Sequence, residues 1–306
     1  MFTKLTDTNK GIVFSVLVLF LAVVAALAID MLGLGSNFLV WISVWSITPL
    51  LATLIMLLVV TREGYSKEGW KSLGLHRLGL SVWWIAFGVT FLFSLIASII
   101  VWATPLASFV VPEGGLINTV IGFLLQVVVL ALAFSLWEEI GMRGYLLPKL
   151  LPLGRTRALA LSGLVWAAWH MPLIFLTPLY HTAGSRLIVL PLFVGSIVAG
   201  SFFFGYLRIY TGSVWPASIA HAVHNSAWSV LGAFTLTSSP VVVNEYLAGD
   251  NGLLILVGAV IAAIWVGHYL RRGMDEAQEA EAVPEAPPTP AAGGGPQVGM
   301  GGASLT

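Results

Sequence analysis

The stretch VVVLALAFSLWEEIGMR, residues 127–143, decides the fold and carries the first functional signal. Its first part, residues 127–137, is an apolar run of the kind that lies in a bilayer. Two adjacent glutamates, Glu138 and Glu139, end the run, and Arg143 follows them. Ionisable side chains at membrane depth are costly, and they persist mainly where they face a protein interior or a wet cavity. The stretch therefore predicts a membrane helix that carries a functional site.

The whole chain has the composition of an integral membrane protein. Of its 306 residues, 58% are hydrophobic and 9% are charged, whereas soluble domains carry about 25% charged residues. The mean hydropathy is +0.94. The formal net charge is zero, so nothing indicates a nucleic-acid partner. The absence of cysteine excludes disulfides, thiolate metal sites and a cysteine nucleophile.

A spanning helix needs about 20 apolar residues, and eight segments of the chain are candidates. They cover residues 11–29, 38–60, 81–104, 116–137, 158–176, 187–207, 214–236 and 252–270. The fifth and seventh contain histidines and small polar residues, which suggests packing around a polar interior. The predicted fold is therefore all-α: a polytopic bundle of eight transmembrane helices around a polar cavity.

The distribution of lysine and arginine predicts the orientation in the membrane. With eight spans, all but one of the 14 Lys and Arg residues lie on one side, and Arg186 is the exception. Both termini are therefore expected in the cytoplasm, in a multi-pass protein of the cell membrane. Residues 1–272 form the predicted transmembrane domain. Residues 273–306 are rich in Pro, Ala and Gly, which predicts a disordered cytoplasmic tail.

The glutamate cluster suggests a division of labour between its two carboxylates. Glu139 and Arg143 are four residues apart on a helix, so they share a face and can pair. Glu138 points about 100° away from Glu139. Without an obvious local partner, Glu138 is a candidate general base for water. The alternative for Glu139 and Arg143 is an interfacial ion pair with a stabilising role alone.

Two further clusters supply histidines. Trp166 and His170 share one helical face, and so do His221 and Asn225. His224 lies about 60° from His221, so it either supports the site or is simply packed. The alternatives are an interfacial Trp-His belt and ordinary interhelical hydrogen bonds. Together with the glutamates, however, these side chains supply the base and the oxyanion donors that water-mediated acyl transfer needs.

Three motifs occur in order along the chain: Glu138-Glu139-x-x-x-Arg143, Trp166-x-x-x-His170 and His221-x-x-x-Asn225. This order resembles the CAAX protease and bacteriocin-processing family. The family includes Ras-converting CAAX endopeptidases, Abi-type immunity proteins and lysostaphin resistance protein A-like proteins. Its second motif often begins with Phe, where this chain has Trp. The resemblance covers about residues 116–236.

The resemblance implies an intramembrane glutamic endopeptidase with eight helices that hydrolyses a protein or peptide substrate. In the family, the first glutamate and the second-motif histidine activate water, which implies that Glu138 and His170 are catalytic. His221 and Asn225 are implied as the oxyanion site. Supporting roles are expected for Glu139, Arg143, Trp166 and His224.

The family was long described as zinc metalloproteases, so a metal must be weighed against the residues. Glu138, His170 and His221 could supply three zinc ligands. However, the chain has no His-Glu-x-x-His motif, and Asn225 is a poor zinc ligand. Metal-free chemistry without a cofactor is therefore favoured, and zinc at these three residues is the alternative.

Two other functions stay open. One is a non-catalytic immunity or scaffold protein that binds a peptide or a membrane partner. The other is a proton-coupled transporter, because buried Glu and His chains also mark proton relays. The lack of an internal repeat argues against a transporter. The leading prediction is an endopeptidase that cleaves near the cytoplasmic leaflet, because the glutamate motif leads into a basic connection.

Overall fold

The structure is a bundle of helices with almost no other regular structure. The computed structural model describes residues 5–282, with the backbone alone for 271–282, and it is 80% helical. The α-helices are α1 (Asp7–Met31), α2 (Phe38–Ile55), α3 (Lys67–Lys71), α4 (Trp83–Trp102), α5 (Gly115–Leu132), α6 (Phe134–Glu139), α7 (Leu147–Leu150), α8 (Arg155–Leu176), α9 (Arg186–Thr211), α10 (Trp215–Ala233) and α11 (Leu253–Ala282). Two two-residue strands, β1 (Ser108–Phe109) and β2 (Thr235–Leu236), pair antiparallel. The protein is therefore nearly all-α, as predicted.

Seven segments within residues 5–282 are long and apolar enough to cross a membrane. They are Asp7–Met31, Phe38–Val60, Leu80–Trp102, Gly115–Leu153, Arg155–Leu176, Arg186–Thr211 and Leu253–Leu270. The predicted seventh span, residues 214–236, does form a helix, α10, but this helix is not among the seven. The multi-pass character is thus supported, while the count of eight and the polar cavity stay predictions.

The segment that carries the glutamate pair is not one continuous α-helix. Helix α5 ends at Leu132, and Ala133 leaves helical geometry, with φ −125° and ψ −99°. Helix α6 begins at the next residue and ends at Glu139, and a π-helical segment, Ile140–Leu146, follows. π-Helical turns are rare, and many of those that do occur lie at functional sites. The glutamates therefore lie between a helix break and a π-helical segment.

Two glycines bring neighbouring helices close to the functional motifs. A Cβ atom at Gly141 would lie 2.5 Å from Cβ of Pro49, so α2 packs directly against the glutamate segment. A Cβ atom at Gly163 would lie 2.9 Å from Cβ of Ser201, where α8 meets α9. Small residues at such contacts are typical of membrane proteins because they let helix backbones approach closely.

Ion pairs join three segments at one end of the bundle, which carries Lys10, Lys149 and the connection between α2 and α4 and is called the basic end below. Nζ of Lys10 lies 2.6 Å from Oε1 of Glu63, and Nζ of Lys149 lies 3.2 Å from the same oxygen. Nζ of Lys149 is also 3.2 Å from Oδ1 of Asp7. Burial alone would raise the pKa of Glu63, but the hydrogen bond from Lys10 and the charge of Lys149 lower it overall. The network fastens α1 and α7 to the connection between α2 and α4.

The last described helix, α11, runs to Ala282, past the predicted start of the tail at residue 273. Residues 283–306, which make up most of the predicted tail, lie outside the described residues. The disordered tail therefore stays a prediction.

Candidate active site

The two adjacent glutamates are both buried inside the bundle. Glu138 is 6% exposed, and Glu139 is fully buried. They are the last two residues of α6, which packs against α2, α5 and α10. A buried carboxylate is costly unless it is paired or hydrogen-bonded. The partners of each glutamate therefore indicate what it can do.

Glu139 is held by two donors on the same oxygen. Nη1 of Arg143 lies 3.0 Å from Oε1 of Glu139, as the spacing along the helix predicted. Nδ1 of His221, which approaches from α10, is also 3.0 Å from Oε1. The guanidinium of Arg143 lies 4.2 Å from the ring centroid of Trp166, an arrangement that favours a cation. Glu139 thus joins two of the predicted clusters and is engaged by both.

Glu138 makes a different set of contacts. Its Oε1 accepts a hydrogen bond of 3.0 Å from Oγ of Ser46, and its Oε2 accepts one of 3.3 Å from Nε1 of Trp166. Nε2 of His221 lies 4.0 Å from Oε2. The expectation that Glu138 lacks a local partner holds on its own helix, but neutral donors reach it from α2 and α8. Glu138 is therefore oriented by hydrogen bonds without an arginine counter-ion.

His170 has one ring nitrogen engaged in a hydrogen bond. Its Nδ1 lies 2.9 Å from the backbone carbonyl oxygen of Trp166, one turn earlier in α8. A carbonyl can only accept, so Nδ1 carries the proton and Nε2 has the lone pair of the neutral ring. The half-buried ring packs edge-on against Trp169 and Phe193, with centroid distances of 4.6 and 5.2 Å. This tautomer leaves Nε2 able to accept a proton.

Helix α10 presents the third motif, but its members have different surroundings. His221 is 5% exposed and lies between the two glutamates. Asn225 is half-buried, and its amide makes no hydrogen bond within the part of the chain that the structure describes. His224 turns away, and its Nε2 lies 2.9 Å from Oδ1 of Asp250. The three motifs therefore meet through Glu138, Glu139, Trp166 and His221.

Three polar side chains that lie next to residues of the motifs were not predicted from the sequence. Ser46 is one of four hydroxyl side chains in α2, and nothing in its spacing relates it to Glu138. Tyr180, in the connection after α8, lies 6.0 Å from His170 between ring centroids. Asp250, in the connection before α11, pairs with His224. The signal for Asp250 was present, since charge is scarce in this chain, but it lay outside the predicted spans.

Zinc at Glu138, His170 and His221 is the alternative to the favoured metal-free chemistry, and its fit depends on how these side chains are arranged. Among the described residues, no group of three or more His, Asp or Glu side chains is placed to hold a metal ion. Glu138 and His221 are 4.0 Å apart, and His221 uses Nδ1 for Glu139. The side chains as arranged therefore do not fit a zinc site, and no step of the chemistry is assigned to a metal.

Comparison with known protein families matches residues 120–227 to the model of the Rce1-like family, described as type II CAAX prenyl endopeptidase Rce1-like. The matched segment contains all three motifs and confirms the resemblance identified from them. No curated protein matches the chain. The matched family is a protease family, which supports a membrane endopeptidase.

Proposed function

We propose that the chain is an intramembrane endopeptidase in which Glu138 and His170 activate water, in a bundle of eight helices around a polar cavity. The match of residues 120–227 to a family of CAAX endopeptidases supports a membrane protease of this type. The observation that carries the mechanism is the asymmetry of the glutamates: Arg143 engages Glu139, whereas neutral donors orient Glu138. A carboxylate without an arginine partner is the better proton acceptor.

In the proposed reaction, Glu138 takes a proton from water as its oxygen attacks the peptide carbonyl carbon. Nε2 of His170, left free by the bond from Nδ1 to Trp166, holds the water in line. The tetrahedral intermediate then collapses, the C–N bond breaks, and the proton from Glu138 passes to the leaving amine. Atoms balance, because water supplies a hydroxyl to the acid product and a proton to the amine.

The oxyanion of the intermediate would be stabilised by Asn225 and His221. The amide of Asn225 is free of hydrogen bonds within residues 5–282, so it can donate without breaking a contact. His221 already engages Glu139 through Nδ1, so it can donate from Nε2 only when both ring nitrogens carry protons. Donors aimed at a developing oxyanion supply a large share of catalysis in such reactions.

Hydrolysis of a membrane-bound peptide in ¹⁸O-labelled water tests this function. The purified chain in lipid vesicles should cleave a peptide and leave one ¹⁸O atom in the new carboxyl group, as read by mass spectrometry. Peptides of one sequence, with and without a prenylated C-terminal cysteine, separate a CAAX substrate from an unmodified one. Absence of cleavage in both sets would contradict the proposal.

We further place both termini in the cytoplasm of a cell-membrane protein, with α10 as the eighth span. Nε1 of Trp215, at the start of α10, donates to the carbonyl of Leu75. The connection after α10 pairs, through β2, with the connection between α4 and α5. The two ends of α10 thus lie against two connections that the distribution of lysine and arginine assigns to opposite sides of the membrane.

Single cysteines test this orientation without interference, because the chain has none of its own. We expect an impermeant maleimide to label Ser238→Cys in intact cells and to label Glu68→Cys only after permeabilisation. Both positions are exposed. Equal labelling of the two in intact cells would show that α10 does not cross the membrane.

A further inference from the structure

A second polar cluster lies on the face opposite the basic end, in the connections α8–α9 and α10–α11. At its centre, the carboxylate of Asp250 accepts hydrogen bonds from three side chains. Oδ1 accepts from Nε2 of His224 at 2.9 Å, and Oδ2 accepts from the hydroxyl of Tyr180 and from Nδ2 of Asn251, the latter at 2.8 Å. Nδ2 of Asn251 also lies 3.1 Å from the hydroxyl of Tyr180. One carboxylate thus joins three segments of the chain.

The side chains that Asp250 joins belong to the two histidine motifs. His224 is the residue before Asn225 and lies one turn after His221 in α10. Tyr180 follows the end of α8, and its ring lies 6.0 Å from that of His170. Asp250 therefore touches α10 directly, and reaches the His170 end of α8 through Tyr180.

The two motif helices meet at the glutamates, where the ring centroids of Trp166 and His221 lie 5.2 Å apart, but most of their packing is against other helices. Helix α8 packs mainly against α1 and α9, whereas α10 packs mainly against α4 and α5 and less extensively against α9. The distance between His170 and the pair of His221 and Asn225 is thus not set by one extensive contact between their helices. Misplacement of a catalytic group by about 1 Å can cost 10²-fold in rate.

The protonation states of Asp250 and Tyr180 keep these hydrogen bonds in place at neutral pH. The Asp250 side chain is 15% exposed, and that of His224 is 18% exposed. Burial alone would raise the pKa of Asp250, but hydrogen bonds from His224 and Tyr180 hold it well below its ordinary value. Burial and the neighbouring Asp250 charge raise the pKa of Tyr180, so its hydroxyl stays a donor. Because the pKa of Asp250 is depressed, its stabilising contribution is complete at neutral pH and declines only under strong acid.

We infer that Asp250 is a positioning residue that sets the spacing between the histidine motifs of α8 and α10. This inference rests on the proposed function for its kinetic consequence, but its structural consequence can be measured separately. Asp250 acts through His224 and Tyr180, and it makes no hydrogen bond or ion pair with either glutamate in the described part of the chain.

The test compares Asp250→Asn with a matched control in the same two connections. Nδ1 of His181 lies 2.8 Å from Oε2 of Glu245, a carboxylate–histidine pair that does not involve α10. We expect Asp250→Asn to lower kcat by about 10- to 100-fold, with KM changed less than about threefold and the pH profile of kcat unchanged in shape. Glu245→Gln should keep kcat within about twofold of the parent.

Distances between spin labels on the two helices separate positioning from a general loss of structure. Cysteines replacing Leu176 and Ser229, both exposed, place labels on α8 and α10. The distribution should shift or broaden in Asp250→Asn and not in Glu245→Gln. Should Asp250→Asn fail to fold, His224→Leu removes the donor to Oδ1 of Asp250 from the other side and should give the same result.

An unchanged distance distribution in the folded variant would overturn the inference, and so would an unchanged kcat. Equal losses in Glu245→Gln would also overturn it, because the effect would then belong to the connections in general. A parent protein without peptidase activity would instead contradict the proposed function, and the label distances would still decide whether Asp250 sets the spacing.

Discussion

Replacing Glu138 by Gln should lower peptide hydrolysis by about 10³-fold, within the range for loss of a general base. The amide has nearly the same shape, and its oxygen can still accept from Ser46 or Trp166, but it cannot take a proton from water. The measurement is kcat on a membrane-bound peptide, with the thermal midpoint of the purified variant to show that it folds.

Glu113→Gln is the matched control, because Glu113 is an exposed glutamate in the connection between α4 and α5. It should hydrolyse the peptide at the parent rate. Full activity in a folded Glu138→Gln variant would remove Glu138 from the mechanism. If the inactive variant still protects cells, that phenotype does not depend on peptide hydrolysis. The result would then support the non-catalytic immunity or scaffold function.

Replacing Arg143 by Met should have the largest effect on stability, a loss of about 3–5 kcal/mol in the free energy of unfolding. Both partners of the Arg143–Glu139 pair are fully buried. Removing the arginine leaves the Glu139 carboxylate inside the bundle with His221 as its one remaining hydrogen-bond donor among the described residues. Chemical unfolding in mixed micelles, monitored by tryptophan fluorescence, measures the loss.

Two comparisons sharpen this prediction. Arg157→Met removes an exposed arginine at the start of α8 and should change stability by less than about 0.5 kcal/mol. Removing both charges, in Arg143→Met with Glu139→Gln, should recover part of the loss, because no unpaired charge stays buried. A double variant that is less stable than Arg143→Met would contradict this electrostatic explanation.

The ion pair within the first motif could be predicted from the sequence. Helical spacing placed Arg143 beside Glu139, and the cost of buried charge predicted that both face the protein interior. The structure has the pair at 3.0 Å, with His221 on the same carboxylate. The Arg143–Glu139 prediction was confirmed because it depends on two residues four positions apart in one helical segment and on the shortage of charge elsewhere, whereas His221 reaches Glu139 from α10.

The partners from other helices could not be predicted in this way. Ser46 is 92 positions from Glu138 along the chain, and spacing within a helix does not reveal which distant helix packs against it. His224 was left open between a supporting and a packed residue, and its partner Asp250 lies beyond the spans that periodicity identifies. The break at Ala133 was also missed, because the residues around it are as apolar as those within the helices.

The close contact at Gly141 has a consequence for how this sequence can change over time. Pro49 and Ser46 lie one turn apart on α2, and the missing side chain at Gly141 is what lets that turn sit against the glutamate segment. Any larger residue at 141 would push away the hydroxyl that orients Glu138. The glycine and the serine are therefore expected to change together in evolution. A larger residue at 141 would remove the hydrogen bond from Ser46 to Glu138, so the serine would no longer be selected for that contact.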